Sequence, residues 1–342
     1  MASQAADARA RAGWLPGWRR SIGAAGEESW TVPDVRRRLQ LVLAGIWLLD
    51  GVLQFQAFMF SKGFSQLLGA TAAGNPAVIA NPINWSAKII ADHPTATNAI
   101  FALIQVALGL GIAWRPARKL ALGASVVWAL AVWWLGEGLG GVLNGAASPV
   151  NGAPGAVIIY ALLAVLLWPG RQDRAAPFIA GRFTGANVAR VLWLVLWGSL
   201  AYLALLPATR APKALGGMVA GMASGEPGWL FSLDDHLGAF LTSNGPAMSV
   251  VLAIVLALVA VSVFLPWPAA RAGVVLAIAA AAFLWLAEGL GGLLAGGATD
   301  PNSGPLLALL ALAFWPLASA ALPATGQQKP ATATQPASPE GT

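Results

Sequence analysis

The chain has 342 residues, 57% of them hydrophobic and only 10% charged, and its mean hydropathy is +0.68. A soluble domain is about 45–50% apolar and about 25% charged, so too few polar side chains are present to cover a water-soluble particle. The net charge of +6 raises nucleic acid as a partner, and the absence of cysteine excludes a disulfide-stapled domain or a thiol redox enzyme. What remains is an all-α, polytopic membrane protein.

Residues 1–34 are rich in Ala, Arg and Gly and read as a disordered basic arm able to touch anionic headgroups. Arg19-Arg20 is followed by a polar stretch holding Glu27 and Glu28, so no removable signal is expected. A helix needs about 20 apolar residues to cross a core of about 30 Å. Eight segments approach that: 39–60, 96–114, 120–143, 155–168, 188–206, 247–265, 272–294 and 305–322. The fourth needs 150–154 to complete it. Long runs of Leu and Ala argue against the alternating strands of a membrane barrel. Long polar segments follow the first and fifth spans, and parts of each are expected to lie as amphipathic helices at the interface. The chain ends in a Pro/Ala/Thr/Gln tail.

The most informative feature is self-similarity. Trp134-Leu135-Gly136-Glu137-Gly138-Leu139-Gly140-Gly141-Val142-Leu143 recurs as Trp285-Leu286-Ala287-Glu288-Gly289-Leu290-Gly291-Gly292-Leu293-Leu294, with eight of ten positions identical. Residues 161–169 match 308–316, each ending in Trp-Pro. The expected architecture is two four-helix membrane repeats, 35–169 and 187–316, joined by a linker at 170–186 and followed by a helix end and tail at 317–342. An even number of helices per unit makes the repeats parallel.

The basic residues divide unevenly between the two sides. With the N-terminus inside, 16 of the 20 Lys and Arg fall on the cytoplasmic side (among them Arg9, Arg38, Arg115, Lys119, Arg171, Arg174 and Lys329) and four on the other: Lys62, Lys88, Arg210 and Lys213. That split obeys the positive-inside rule and places both termini in the cytoplasm of a multi-pass plasma-membrane protein. It also accounts for the basic charge without nucleic acid.

Glu137 and Glu288 are the first candidate site, two pseudo-symmetric acids in the exofacial third of the third and seventh spans, with Trp134 and Trp285 one turn before them. Carboxyls at that depth must be paired, protonated or facing a wet cavity. Gly136, Gly138, Gly140 and Gly141, with Gly289, Gly291 and Gly292, read as close-packing positions that let another backbone approach. Asp50 lies mid-helix in the first span, followed by Gln54 and Gln56, and the second unit has no acid there. His93 and His236, beside Asp92 and Asp235, are weak candidate metal ligands with Glu137, Glu288 and Met59 near them in depth; no H-x-x-x-H spacing accompanies them, and no metal site is expected. Gly136-Glu137-Gly138-Leu139-Gly140-Gly141 fits G-x-G-x-x-G, but no strand precedes it and a dinucleotide site is excluded.

The opening of the first unit, Arg38-Leu39-Gln40-Leu41-Val42-Leu43-Ala44-Gly45-Ile46-Trp47-Leu48-Leu49-Asp50-Gly51, with Phe60-Ser61-Lys62-Gly63-Phe64 and Gln105-Val106-Ala107-Leu108-Gly109-Leu110-Gly111, resembles the DoxX-like family of bacterial integral membrane proteins. The resemblance implies a helical-bundle membrane subunit, in some relatives tied to quinone-linked oxidation; a quinone enters on that ground alone, and the residues show no cofactor ligand set. Three readings stand open: an accessory, non-catalytic subunit or scaffold with a membrane or exofacial protein partner; a small ion or solute transporter using Asp50, Glu137 and Glu288; and a quinone-associated oxidoreductase subunit. The bilayer is the partner common to all three.

Overall fold

The computed structural model describes residues 35–170, 176–223 and 225–317. The arm at 1–34, most of the tail at 317–342 and five linker positions, Arg171 and Arg174 among them, lie outside the described residues. Among the described residues every regular element is helical. The first half holds α1 (Val35–Leu53), α2 (Lys62–Ala70), α3 (Ala77–Asp92), α4 (Pro94–Ala113), α5 (Arg118–Leu135) and α6 (Ala156–Leu166). The second holds α7 (Ala186–Leu205), α8 (Ala214–Met222), α9 (Gly228–Ser262), α10 (Trp267–Ala287) and α11 (Ser303–Ala313).

Five of these, α4, α5, α7, α9 and α10, are long and apolar enough to cross a membrane. Their outward faces are apolar: Leu103 and Val127 are each 69% exposed, and Ile254 and Val275 likewise point away from the core. Such a wall suits lipid rather than water. The 19-residue α1 opens on Arg36, Arg37 and Arg38. The helices α6 and α11 have 11 residues each, about 17 Å at 1.5 Å per residue. They are the most buried elements and pack against each other at the centre of the molecule.

Around that centre the two halves pack in the same order. In the first, α1 lies on α4, α4 on α5 and α5 on α6; in the second, α7 lies on α9, α9 on α10 and α10 on α11. The core runs through both, with Trp47, Tyr160, Trp193, Trp197 and Phe314 fully enclosed. At one end of the bundle, arginines close helix termini. The Arg36 guanidinium donates to the Trp168 carbonyl at 3.1 Å, Arg37 to the carbonyls of Ile112 and Ala113, and Gln40 to Leu167 at 2.7 Å. Arg118 reaches the Gln40 side-chain oxygen at 3.1 Å. Cations at the C-terminal carbonyls of α4 and α6 satisfy groups that the helices leave open and oppose their dipoles. The arginines of α1 therefore tie the bundle together as well as setting charge.

Two expectations differ, one about span ends and one about the second half's polar segment. The third and seventh spans do not run on to Leu143 and Leu294: α5 stops at Leu135 and α10 at Ala287, and the glycine-rich stretches turn back. In the second half, one 35-residue helix replaces the expected interface helix and span. The first half breaks at the corresponding place, between Asp92 and Pro94. The residue before the proline contributes to this difference, although α3 runs through Asn81-Pro82 with a Cβ at that place. His93 carries a Cβ that clashes with the Pro94 ring in helical backbone and sits at φ −136°, ψ 56°. Gly245, before Pro246, has no Cβ to clash, and α9 continues through it.

Candidate functional site

The doubled W-L-x-E-G-L-G-G segments fold alike. Leu139 and Gly140 have φ/ψ of 58°/33° and 63°/24°, and Leu290 and Gly291 have 52°/31° and 69°/21°. A left-handed pair reverses the chain directly after each glutamate. The glycines thus serve backbone conformation more than a straight packing face. A Cβ on Gly140 would lie 2.1 Å from the Pro154 carbonyl oxygen, and one on Gly291 would lie 2.7 Å from that of Pro301. Close approach is real, but it is to the following loop.

Each turn delivers its glutamate to the start of the next short helix. The Val157 amide donates to Glu137 Oε1 at 3.3 Å, and the Ala156 amide also faces that carboxyl. In the second half, the Ser303 hydroxyl donates to Glu288 Oε1 at 2.7 Å, with further support from the amides of Ser303 and Gly152. Amides at a helix N-terminus suit a carboxylate. The partners differ because Ala156 stands where Ser303 does, counting back from Trp168-Pro169 and Trp315-Pro316. Glu288 is enclosed, at 1% exposure.

Glu137 instead borders a cavity of about 330 Å³ within the first half. Asp50 and Trp47 of α1, Phe101 and Gln105 of α4, Trp128 of α5 and Tyr160 of α6 line it, with Phe64 of α2, and Thr299 and Asp300 reach in from the second half. The Tyr160 hydroxyl donates to Asp50 Oδ2 at 2.6 Å. Asp50 Oδ1, Glu137 Oε2, Gln54 Oε1 and Gln105 Oε1 are buried acceptors without a protein donor. Asp300 accepts from the Thr299 hydroxyl at 2.8 Å and the Asn302 amide at 2.7 Å. Burial pushes the Asp300 carboxyl above its ordinary range, while those two hydrogen bonds pull the other way. Its charge acts on both Asp50 and Glu137.

A second, polar hollow of about 280 Å³ lies beyond Glu137, lined by Asn144, Asn151 and Asn302 with Gly140, Gly141, Gly152 and Gly155. Glu137 and Thr71 line both spaces. The second half has its own cavity, also about 280 Å³, between α8, α9 and α10. Its walls, completed by Val150 of the first half, are Leu, Val, Met, Ala and Phe throughout. Tyr160 of the first half corresponds to Leu307, counting back from the same Trp-Pro pairs. The Asp50–Tyr160 pair therefore has no counterpart in the second half.

The structure brings together Asp50 and Glu137 of the sequence-predicted residues. It keeps Glu288 apart, held by Ser303. Trp134 is 42% exposed, and Trp133 makes the loop contact instead, donating to the Pro154 carbonyl at 2.6 Å. Trp285 packs against Gly304 at the start of α11. Gly136, Gly138, Gly141, Gly289 and Gly292 belong to the two turns. His93, at the end of α3, and His236, in α9, are both exposed. Among the described residues, no three His, Asp or Glu side chains converge to hold a metal ion. Tyr160 and Asp300 were not picked out by the sequence.

No protein-family model matches the chain, and neither a curated protein nor a solved structure does. The class rests on the fold itself: an all-helical protein with several helices suited to a bilayer and one polar, aromatic-walled cavity among them.

Proposed function

We propose that the chain is a multi-pass protein of the bacterial plasma membrane, an accessory subunit whose first half holds a small amphipathic molecule in the Asp50–Glu137 cavity. On this reading the eight helices α1, α4, α5, α6, α7, α9, α10 and α11 form two parallel four-helix repeats of DoxX-like plan, α6 and α11 being short central members. Both termini are cytoplasmic, and the asparagine-lined hollow opens to the exofacial side. One observation carries the proposal: three carboxyl groups line one cavity walled by aromatic rings, whereas the cavity between α8, α9 and α10 is wholly apolar. Ligand sites combine an apolar body with a few aimed polar groups, and intramembrane carboxyls mark sites by default.

Binding is favoured over through-passage. Toward the arginine end the bundle is packed by Leu43, Ile112 and Leu122, all fully buried, and closed by the Arg36–Gln40–Arg118 contacts. A quinol, as the DoxX-like resemblance would imply, is one molecule with ring and hydroxyl donors that such a cavity could hold.

Single-ring compounds bearing hydroxyl or amino groups, titrated into the purified chain in nanodiscs, test the reading. At least one should raise the unfolding temperature, and Ala131→Trp, which fills the cavity from α5, should abolish that rise. An equal rise in the variant would refute a cavity site. Because the chain has no cysteine, Asn144→Cys and Arg115→Cys can be labelled without background, the first from outside the cell and the second from inside only. Labelling of both from one face would overturn the topology.

A further inference from the structure

The cavity in the first half is one-sided in its chemistry. Asp50 enters from α1, Glu137 from the turn after α5, and Asp300 from the loop before α11, with the Tyr160 hydroxyl beside them from α6. The helices α2, α3 and α4 contribute Phe64, Ser86, Phe101 and Gln105 and no ionisable group, and among the described residues no Lys, Arg or His lines the space. Three carboxylates cannot all ionise in an apolar enclosure without a compensating positive charge. None is supplied by the described residues that line the cavity. The buried side-chain atoms left without a partner there, on Asp50, Glu137, Gln54 and Gln105, are all acceptors. A ligand that satisfies them must bring donors.

The walls point the same way. Phe101 and Trp128 stand with ring centroids 5.6 Å apart, and Trp47 and Tyr160 4.3 Å apart. Aromatic faces attract cations, more strongly when water is excluded. A volume of about 330 Å³ far exceeds what a bare metal ion needs, and no three acidic side chains among the described residues converge to coordinate one. A cation with an apolar body fits both the size and the walls.

We infer that the molecule taken up is an organic cation, a protonated amine on a single-ring or comparable apolar body, which enters the cavity in exchange for a proton. The ammonium group takes the place of a carboxylic proton among Asp50, Glu137 and Asp300, and its N–H groups meet the open acceptors. The displaced proton leaves by way of Glu137, the one ionisable group that lines both the cavity and the asparagine-lined hollow. Charge in the cavity is unchanged: one positive charge enters and one leaves. This assignment rests on the cavity being a ligand site and adds the class of ligand and the coupled proton.

The test is calorimetric titration of the full-length protein in nanodiscs with three probes of one shape: phenethylammonium, 2-phenylethanol and phenylacetate. The amine should bind at least about tenfold more tightly than the alcohol, and phenylacetate not at all. Its heat should differ between buffers of unlike ionisation enthalpy by the amount that one released proton requires. Its affinity should rise about tenfold per pH unit while the carboxyl is protonated in the free protein. Glu137→Gln should lose the proton release and at least about tenfold in affinity. Asp300→Asn provides a second reading should that variant fold poorly, with affinity lost and the fold kept. Equal binding of alcohol and amine without proton release would overturn the cation assignment and leave the cavity site standing. Binding of none of the probes, or binding undiminished in Ala131→Trp, would remove the cavity site as well.

Discussion

The hydroxyl of Tyr160 and the carboxyl of Asp50, 110 positions apart in the chain, meet at 2.6 Å inside the bundle, and both side chains are essentially unexposed. The contact joins α6 to α1, while the Trp47 ring packs on Tyr160 and its indole N–H donates to the Ser125 hydroxyl of α5 at 3.1 Å. A polar pair among apolar helices thus fixes one wall of the cavity. Tyr160→Phe keeps the ring and removes only the donor, leaving a second acceptor of Asp50 open. Hydrogen bonds between membrane helices contribute about 0.6 kcal/mol on average and reach about 1.7 kcal/mol. Tyr160→Phe should cost an amount in the upper part of that range, seen as a lower unfolding temperature in detergent. Leu307→Phe, at the corresponding place in the second half, removes no hydrogen bond, so any cost there arises from overpacking alone.

The two glutamates predict opposite behaviour. Glu288 has the Ser303 hydroxyl and Glu137 has only amides. Ser303→Ala should destabilise by about 1–3 kcal/mol, the cost of leaving a buried acceptor unmet. Ala156→Ser places a hydroxyl where Ser303 places its own. It should raise the unfolding temperature and weaken any ligand that uses Glu137. Glu137→Gln should leave the fold at least as stable as the parent, since it keeps an acceptor for the amides and removes a buried carboxyl whose Oε2 has no donor. Circular dichroism melts of the three variants decide the point; a destabilised Ala156→Ser protein would show that the two turns are not equivalent.

Glycine substitutions in the turns should rank by what lies around them. Left-handed backbone costs an L-residue about 1–2 kcal/mol. At Gly292, φ is +69° but no atom lies within 4 Å of an added Cβ, so Gly292→Ala should cost about that and no more. At Gly291 the Cβ meets the Pro301 carbonyl at 2.7 Å, and at Gly140 it overlaps the Pro154 carbonyl at 2.1 Å. Backbone atoms cannot swing aside as a flexible side chain can. The expected order of loss is Gly140→Ala, then Gly291→Ala, then Gly292→Ala, read as folded yield and melting temperature.

How far the sequence reveals this molecule depends on the residue asked about. The apolar runs announce helices suited to lipid because their signal is local and additive. Asp50 and Glu137 stand out because a carboxyl among apolar neighbours is costly wherever the chain goes. Asp300 gives no such signal. It sits in a Thr-Asp-Pro-Asn loop where an acid is ordinary, and only the packing of α6 on α11 carries it into the other half's cavity. Tyr160 is one aromatic residue in an apolar run, and its hydroxyl matters through a partner 110 positions away. The glycine stretches mislead in a different manner. Small residues four apart suit a close helix crossing, but successive glycines also suit a left-handed reversal, and helix length alone does not choose between them. The break at His93 and the continuation at Gly245 are not decided by the preceding residue alone, since α3 runs through Asn81-Pro82.

The last prediction concerns pH and lies away from the cavity. Glu226 precedes α9 and packs its carboxyl against Gly289 of the second turn, where Asp234 adjoins it from α9. Partial burial, then the charge of Asp234 and the hydrogen bond shared with it, push the Glu226 carboxyl from 4.5 up to about 7. The folded chain therefore keeps this proton up to near neutrality, whereas the unfolded chain releases it near 4.5. Between those values the folded state binds more protons than the unfolded one, so stability falls as pH rises through that window. Below about 4.5 both states are protonated, and above about 7 both are ionised, so the contribution no longer changes with pH. Glu226→Gln mimics the protonated form and removes the dependence. The unfolding temperature of the parent should decline relative to Glu226→Gln from pH 4.5 to 7 and run parallel to it on either side. A constant difference across the whole range would mean that the carboxyl titrates at its ordinary value and that Asp234 does not share its proton.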